Sequence, residues 1–447
     1  MRSVEAVSTG GGTSVLGTGP AQLYANPANL TVGDARHTIE IQLLRVGVYS
    51  GGDLIQFKHY TPLLVDNEEP LPNAREKAIL DEWFGGGQLG IASYVEVVPF
   101  SVTYRPEGAR WAVGVGVRGR VHQTSGISQG VLDLIYRGME ANRTVSADMR
   151  TRLYGTVDVT GAFSYQFSDV PLSIGVAPRL ILGTGYAGGD WTSQAEVSGE
   201  TVTLNFDYTA RAAGPLSRGL FDTFNAFGAG SVDQIAGGSL GVEGVGGGID
   251  FGTTYTPLPG LHVSMSVTDL GKVWWTGNAQ TVKPKNNTFE YDGITLDLDR
   301  LNNEFGGDLG TYAEHQVDSL AQAAFLDVKR ERASFSTRLP TTVHLSSTWE
   351  RSWFMINGGA SIGFNEKAGA VPTPAAVHAG GEIDLGVVPI RAGVRLWGTQ
   401  AVTVSGGFGI HAGGYRFDLG ASATPNTSVL GEGARYAVSF SLATIRI

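Results

Sequence analysis

The residues that could perform chemistry are few, and their spacing does not favour catalysis. Two Gly-x-Ser-x-Gly matches surround Ser239 and Ser361. A nucleophile elbow of this type needs a buried strand that leads directly into a helix. The Ser361 match lies inside a strand-like pattern, and neither match precedes a helical one. In a chain with 64 glycines such matches arise by chance, so we predict that this protein is not an enzyme.

The glycine run from Gly244 to Gly248 superficially resembles a phosphate-binding loop. A P-loop continues with Lys and Ser or Thr and opens a helix, and this run does neither. We interpret these glycines as part of a strand, and we predict no cofactor.

Metal-ligating residues are equally scattered. The chain has no cysteine, and its eight histidines include no i, i+4 pair, which excludes the common zinc motifs. An acidic stretch from Glu290 to Asp318, with Asp297 and Asp299 near its centre, offers the oxygen ligands that calcium prefers. It lacks the EF-hand order of ligands, so we favour a solvated acidic loop and predict no metal.

The charge balance excludes nucleic acid as a partner. The formal net charge is −10, and the basic residues are dispersed without forming a stripe. Only 17% of the residues are charged while 42% are hydrophobic, so the chain carries too much apolar residue for disorder.

Hydrophobic periodicity indicates how the chain could lie in a membrane. No run of about 18 apolar residues is present, so the sequence offers no transmembrane helix. Alternation with a period of two dominates instead, which is typical of strands with one apolar face. A closed β-barrel is the other structure that spans a bilayer. We therefore predict an all-β fold, a transmembrane antiparallel β-barrel of about 14 strands, with 12 to 16 allowed.

Turn signals give these strands their order. Tight turns at 105–108, 168–171, 256–260 and 413–414 alternate with long insertions near 61–88, 122–150, 209–243 and 274–333. Short turns at one end and long loops at the other are typical of outer-membrane barrels. About sixteen segments are candidate strands. The alternation of short turns and long loops changes phase near Glu196–Tyr208. Helices are predicted at Asn73–Phe84 and Glu314–Leu326.

The composition of the strands distinguishes the two barrel faces. Tyr436, Val438, Phe440 and Leu442 alternate with small residues in the last strand, as expected of a strand that closes a barrel; an edge strand of a soluble sandwich is the alternative. We expect glycines to relieve crowding on the inner wall, at Gly114, Gly116, Gly246, Gly248, Gly380 and Gly406. We expect aromatic girdles at the membrane interfaces, formed by Tyr104, Trp111, Trp349, Trp353, Phe354 and Trp397.

The N-terminal segment carries a family resemblance. A Gly-rich start is followed by Tyr24, Asn26, Pro27, Ala28 and Leu30, immediately before the first convincing strand. This pattern resembles the N-terminal hatch of FadL-like long-chain fatty-acid transporters. Three further segments, at 263–275, 289–296 and 71–95, look like those of an uncharacterised Bacteroidota-type group of outer-membrane proteins related to that superfamily.

The resemblance implies an outer-membrane barrel whose lumen holds an N-terminal plug. Residues 1–36 would form the hatch and residues 37–447 the barrel, with the five hatch residues named above as gate candidates. The implied function is uptake or passage of hydrophobic small molecules, with outer-membrane lipid and a luminal ligand as partners. The ligand-binding residues remain open, because no residues match a fatty-acid carboxylate clamp.

A second function stays open at this stage. Related barrels serve as accessory parts of the type IX secretion machinery, so the chain could be a subunit of a secretion or cell-surface complex with envelope or surface proteins as partners. For either function we expect the bacterial outer membrane as the location. Met1–Ser14 contains no signal-peptide core, so we expect that a signal has been removed.

Overall fold

A computed structural model gives the fold of the chain. It describes residues 3–11, 19–32, 38–56, 59, 73–85, 87–137, 143–198, 201–215, 217, 241–291, 328–364, 375–397, 401–424 and 434–447. Within these ranges no helix is long and apolar enough to cross a membrane.

The described residues form nineteen strands, three α-helices and two short 3₁₀ helices. The strands are β1 (Ile39–Gly52), β2 (Gln88–Tyr104), β3 (Trp111–Ser128), β4 (Thr144–Gln166), β5 (Leu172–Ser198), β6 (Thr201–Ala213), β7 (Gly244–Leu258), β8 (Leu261–Trp275), β9 (Gln280–Pro284), β10 (Thr288–Tyr291), β11 (Val328–Glu331), β12 (Phe335–Arg338), β13 (Thr342–Arg351), β14 (Phe354–Gly363), β15 (Ala376–Asp384), β16 (Pro389–Trp397), β17 (Ala401–Ala412), β18 (Tyr415–Ala423) and β19 (Ala434–Arg446). The helices are α1 (Val4–Ser8), α2 (Asn73–Phe84) and α3 (Gln129–Arg137), and the 3₁₀ helices are Gly19–Tyr24 and Pro27–Thr31.

A closed antiparallel barrel of 14 strands is the core of the fold, as predicted. It comprises β1–β5, β7, β8 and β13–β19. The last strand closes it, because β19 pairs with β1 from Glu40↔Arg446 to Gly52↔Ala434. The prediction of a barrel-closing terminal strand is confirmed, and the sandwich alternative is wrong.

The barrel has two different ends. We call one the short-turn end, where β2–β3, β4–β5, β7–β8, β13–β14, β15–β16 and β17–β18 are joined by two to six residues. The opposite long-loop end carries α2, α3 and the extra strands β6 and β9–β12. The predicted helix Asn73–Phe84 has the observed bounds of α2, whereas the helix predicted at 314–326 lies outside the described residues.

The phase change near residues 196–208 results from one unusually long strand. β5 has 27 residues; its first half pairs with β7 from Leu172 to Gly183, and its second half pairs with β6 from Tyr186 to Ser198. β6 is therefore a hairpin partner beyond the barrel, not a wall strand. Counting it as a wall strand shifted the predicted alternation by one.

Three predicted loops are partly strand. The loop expected near 122–150 contains the end of β3, helix α3 and the start of β4, and the loop expected near 274–333 contains β9, β10 and β11. The insertion near 209–243 likewise begins with the last residues of β6. Polar residues on both faces remove the apolar alternation by which a strand is recognised, as in Gln123–Ser125.

Large apolar side chains cover the outside of the barrel, while small and polar ones face inward. Exposed examples from successive strands are Val48, Val95, Val115, Val159, Leu180, Phe251, Met265, Leu345, Ile356, Val377, Val394, Phe408 and Val438. This pattern inverts that of a water-soluble protein, in which apolar residues face inward. It is the pattern of a barrel surrounded by lipid.

Five of the predicted girdle aromatics lie at the short-turn end: Tyr104, Trp111, Trp349 and Phe354 at the ends of their strands, and Trp353 in the β13–β14 turn. Trp397 is a correction. It ends β16 at the long-loop end and faces the lumen, where its Nε1 donates to Thr403 Oγ1 at 2.9 Å. The sequence correctly predicted that Trp397 lies at the end of a strand. Its side chain faces the lumen because the odd-numbered residues of β16 point inward.

Substitution Leu345→Arg tests the lipid-facing surface. Leu345 is 53% exposed on β13, opposite Met265 and Ala360. Because a charge facing the hydrocarbon core of a bilayer is poorly solvated, we expect a loss of about 2–4 kcal/mol in the free energy of unfolding from lipid vesicles. Glu107→Arg, in the exposed β2–β3 turn, is the control and should leave that free energy unchanged. Equal stabilities of the two variants would contradict the lipid-facing assignment.

Candidate luminal site

The N-terminal residues lie inside the barrel. We call the described residues 3–11 and 19–32 the plug segment. Helix α1 packs against β16–β19, and the two 3₁₀ helices pack against β1–β5 and β7. Leu23, Tyr24, Asn26 and Ala28 are each no more than 1% exposed. The plug segment therefore occupies the lumen between opposite walls.

Asn26 and Pro27 set the local conformation of the plug segment. The Asn26 side chain accepts a hydrogen bond from the Ala28 N–H at 3.1 Å and caps the 3₁₀ helix that Pro27 begins. Its Nδ2 donates to Thr254 Oγ1 on β7 at 3.2 Å. Asn26 thus joins a helix start to the barrel wall, because Asn side chains readily bond nearby backbone.

The rest of this segment is held by further wall contacts. Thr31 Oγ1 lies 2.9 Å from Ser164 Oγ and 3.1 Å from Ser173 Oγ. Leu30 belongs to a buried apolar cluster with Leu23 and Val98. All five predicted gate residues are buried in the lumen; that they act as a gate stays a prediction.

Glycines let the plug backbone approach the wall. A Cβ on Gly252 would overlap Asn26 Oδ1, and one on Gly175 would overlap the Pro27–Ala28 peptide. Among the glycines predicted on the inner wall, Gly114, Gly116 and Gly380 also lie against plug residues. Gly246 and Gly248 do not; a side chain there would meet the barrel's own strands. Gly406 is a correction, because it shares the outer face of β17 with the exposed Val404 and Phe408.

Eight charged side chains form a buried network on the wall beside the plug segment. Its members are Arg45, Glu96, Arg118, Arg120, Asp158, Arg179, Asp250 and Asp269, from seven adjacent strands. The four guanidinium groups and four carboxylates balance in charge. We call this set the luminal charge network.

Asp158 is the centre of the luminal charge network. Its Oδ2 lies 2.8 Å from Arg118 Nη2, 2.7 Å from Arg120 Nη2 and 3.6 Å from Arg179 Nη1. Arg179 continues to Asp250 at 2.7 Å. Since an isolated buried charge costs several kcal/mol, each member requires its neighbours.

A β-bulge brings Asp269 into the network. Register is lost between Ile249 and Phe251, so Asp250 faces two residues of β8, and Asp269 adopts the left-handed conformation with φ 58°. Its backbone N–H donates to Asp250 Oδ1 at 2.6 Å. Bulges re-aim side chains, and this one directs Asp269 inward to Arg120 Nη1 at 2.8 Å.

Tyr24 connects the plug segment to the luminal charge network. The Arg118 guanidinium carbon lies 4.6 Å from the centroid of its ring, and that of Arg45 lies 5.6 Å away. Cation–π contacts of this kind are worth about 2 kcal/mol when they are desolvated. Tyr24 thus packs on charges whose own partners are in the wall.

A cavity of about 340 Å³ lies between the plug segment and the long-loop end. Ala6, Val7, Gly10 and Gly11 of the plug segment form part of its wall. The barrel contributes aromatic, apolar and charged side chains, among them Tyr49, Ile91, Ala92, Tyr94, Arg118, Arg120, His122, Trp397, Arg395, Arg435 and Tyr436. Its volume falls in the range of small-molecule sites.

Trp397 lies close to two arginines in the part of the cavity wall nearest the long-loop end. The guanidinium carbon of Arg395 is 4.1 Å, and that of Arg435 5.5 Å, from the centroid of its ring. Arg435 forms an ion pair with Asp53, and Arg395 donates to Ser361 Oγ at 2.9 Å. Ser361 is thus a wall residue inside β14, as the sequence predicted.

The other sequence candidates give no site in the described part of the chain. Gly244–Gly248 lies in β7, as predicted. Ser239, Asp297 and Asp299 lie outside the described residues. Among the residues that the structure describes, no group of three or more His, Cys, Asp or Glu is placed to hold a metal ion.

Sequence reasoning missed the luminal charge network. One signal was present: Arg118 and Arg120 stand two positions apart in a strand whose alternate positions are mostly valines, at 113, 115, 117 and 121. Charges at i and i+2 in such a strand share the inner face of a barrel. Their carboxylate partners are far away in sequence, and only the fold brings them together.

One comparison identifies the family. A family model described as a family of unknown function, DUF5723, matches residues 27–371. The chain belongs to the DUF5723 family. No curated protein matches this DUF5723 sequence.

Solved structures that resemble the DUF5723 barrel include two from Pseudomonas. A FadL homologue from Pseudomonas aeruginosa is 14% identical, with 100% of this chain and 98% of that chain covered and a TM-score of 0.47. The toluene transporter TodX from P. putida is 13% identical, with 99% of each chain covered and a TM-score of 0.46.

Substitution Asp158→Asn tests the luminal charge network. Removing this buried carboxylate leaves three guanidinium groups without their common partner, so we expect a loss of about 3–5 kcal/mol in the free energy of unfolding. Asp190 is the matched control, since it also pairs with two arginines, at 2.8 and 2.6 Å, but is 42% exposed. Asp190→Asn should cost only about 0–1 kcal/mol. Urea unfolding followed by heat-modifiable gel migration measures both; similar losses would refute a special role for burial.

Proposed function

We propose that this protein is an outer-membrane barrel that binds a hydrophobic small molecule in its lumen and passes it when the plug segment moves. The observation that carries the proposal is the 340 Å³ cavity, one wall of which is the plug segment itself. A ligand in this cavity would touch the element that blocks its way. The function requires binding and diffusion, without covalent chemistry.

The placement in a membrane is supported by the apolar exterior. Large apolar side chains are exposed around the barrel, and short turns face long connections across it. Outer-membrane barrels have short periplasmic turns and long extracellular loops. On this basis the long-loop end, and with it the cavity, faces the outside of the cell.

The plug segment is the part that must move. Its side-chain hydrogen bonds with the wall join neutral groups, as in Asn26–Thr254 and Thr31–Ser164. Each such bond contributes only about 0.5–1.5 kcal/mol. The charges of the network are paired within the wall and stay paired when Tyr24 leaves. Displacing the plug segment therefore leaves the ion pairs of the luminal charge network intact, whereas opening the wall would break them.

Ligand recognition would combine an apolar body with a few polar contacts. Val7, Ile91 and Ala92 offer apolar surface, whereas Tyr49, Tyr94 and Trp397 offer aromatic rings with polar atoms. Small-molecule sites commonly have this mixture. The gate candidates Tyr24, Asn26, Pro27, Ala28 and Leu30 would then act by releasing the plug segment from β7 and the luminal charge network.

A disulfide that locks the plug segment tests this proposal. Thr31 and Ser164 have hydroxyl oxygens 2.9 Å apart, a spacing suited to a bridge between cysteines at these positions. The chain has no other cysteine to compete. In proteoliposomes, oxidised Thr31→Cys/Ser164→Cys should pass the hydrophobic dye N-phenyl-1-naphthylamine at the protein-free rate, and dithiothreitol should restore passage.

A second cysteine pair is the matched control. Ser125 and Thr151 have hydroxyl oxygens 3.0 Å apart but join β3 to β4 within the wall. Oxidised Ser125→Cys/Thr151→Cys should pass the dye at the wild-type rate. Passage through the fully bridged plug variant would overturn release of the Pro27–Thr31 helix from the wall as the gating step. Dye impermeability of the wild type would overturn the transport function.

The alternative function is that of a barrel subunit in a secretion or cell-surface complex, such as the type IX secretion machinery. It predicts that different molecules copurify with the protein. Isolation from native membranes in mild detergent should then yield a stoichiometric protein partner and a lumen without lipid. The transport proposal predicts a copurifying hydrophobic molecule, detected by mass spectrometry, and no stoichiometric partner.

A further inference from the structure

A basic ribbon extends the barrel wall beyond the long-loop end. β8 continues into β9, and these strands pair with β12 and β11, respectively. We call residues 270–284 and 328–338 the basic ribbon. They contain Lys272, Lys283, Lys329, Arg330, Arg332 and Arg338 against a single carboxylate, Glu331.

Like charges stand directly opposite each other in the basic ribbon. Lys272 pairs with Arg338, and Lys283 pairs with Lys329. All four side chains are exposed. Directly opposite side chains have Cβ atoms about 4.5–5.5 Å apart, and like charges at that distance are destabilising. An anion from outside the ribbon would relieve the repulsion within these two pairs.

The described part of the chain does not supply that anion. None of these four residues has an acidic partner among the described residues. The Lys272 ammonium instead lies 4.4 Å from the centroid of the Trp274 ring. Exposed lysine ammonium and arginine guanidinium groups carry hydrogen-bond donors that can bind phosphate oxygens.

The Lys272–Arg338 pair lies where the belt of exposed apolar side chains around the barrel ends. On the outer face of β8, Lys272 stands between Leu270 and Trp274, each 46% exposed. Lys272 is eleven residues beyond Leu261 at the short-turn end. With a rise of about 3.3 Å per residue and a tilt of about 40°, it stands roughly 28 Å along the barrel axis, near the upper limit of a ~25 Å apolar band. That is the level of lipid head groups.

We propose that the basic ribbon binds the phosphate groups of an anionic lipid in the leaflet at the long-loop end. Lys272 and Arg338 would hold one phosphate at the membrane surface, since arginine contacts phosphate bidentately and lysine adds a point charge. Lys283 and Lys329 lie nine residues or more farther along the basic ribbon, roughly 23 Å higher at the same rise and tilt, and would contact only the outer part of a large head group. The inference rests on the proposed membrane placement.

Binding of diphosphoryl lipid A to the full-length protein in detergent, measured by native mass spectrometry, tests the proposal. Lys272→Gln/Arg338→Gln should weaken binding about tenfold or more, equivalent to about 1.4 kcal/mol. Lys283→Gln/Lys329→Gln should change the affinity for lipid A by less than about twofold, because lipid A has no outer head group to reach this pair. The matched control is Arg351→Gln, because Arg351 lies 5.6 Å from the centroid of the Trp349 ring at the opposite rim. It should change the affinity by less than about twofold.

Several results would overturn the proposal. These are wild-type affinity in the Lys272/Arg338 variant, equal loss in the Lys283/Lys329 or the Arg351 variant, equal binding of lipid A that lacks its phosphates, or displacement of the lipid by millimolar inorganic phosphate. Heat-modifiable migration and dye passage of the ribbon variants should match those of the wild type. Failure of the membrane barrel itself would appear separately, as a wild-type protein that is soluble without detergent.

Discussion

The mutual neutralisation of eight charges inside the barrel is the interaction on which the rest of the interior depends. Asp158 joins Arg118, Arg120 and Arg179 within 3.6 Å. A buried charge is tolerated only with good partners, so these residues fix the relative positions of the strands that carry them. Tyr24 of the plug segment then packs on Arg118, and Arg118 and Arg120 also line the cavity. Wall, plug segment and cavity therefore share the same charged groups.

The outer surface follows a different constraint. Every second residue of a wall strand faces outward, where large apolar side chains such as Leu180 and Phe251 are exposed. The inner positions are free to be small or polar because the lipid does not reach them. This separation explains how a chain with ordinary hydrophobic content can be apolar outside and charged inside.

The plug segment and the wall are matched by small residues. Gly175 and Gly252 leave room for the Asn26–Ala28 backbone, while Asn26 and Thr31 make the polar contacts. Contacts of this neutral kind are individually weak, whereas the charge network is strong once it is complete. A lumen built in this way has a firm wall and a separable plug, the combination that the proposed gating requires.

The sequence by itself determined the fold class and most of the strands. Period-two alternation, tight turns and the terminal strand predict a barrel of about 14 strands, and α2 has its predicted bounds. These features are local, because alternation, caps and turns depend on residues a few positions apart. The Asn-Pro-Ala segment likewise indicated where the plug segment lies along the chain.

Only the tertiary structure decided which residues meet. Asp158 and Asp269 are more than a hundred residues apart, and a bulge at Asp269 reverses the face that strict alternation predicts for it. Trp397 was placed at the right level but on the wrong face, and β6 was counted as a wall strand although it pairs beyond the barrel. Parity, bulges and strand partners arise from closure of the whole sheet, and a closed sheet is not encoded in any single strand.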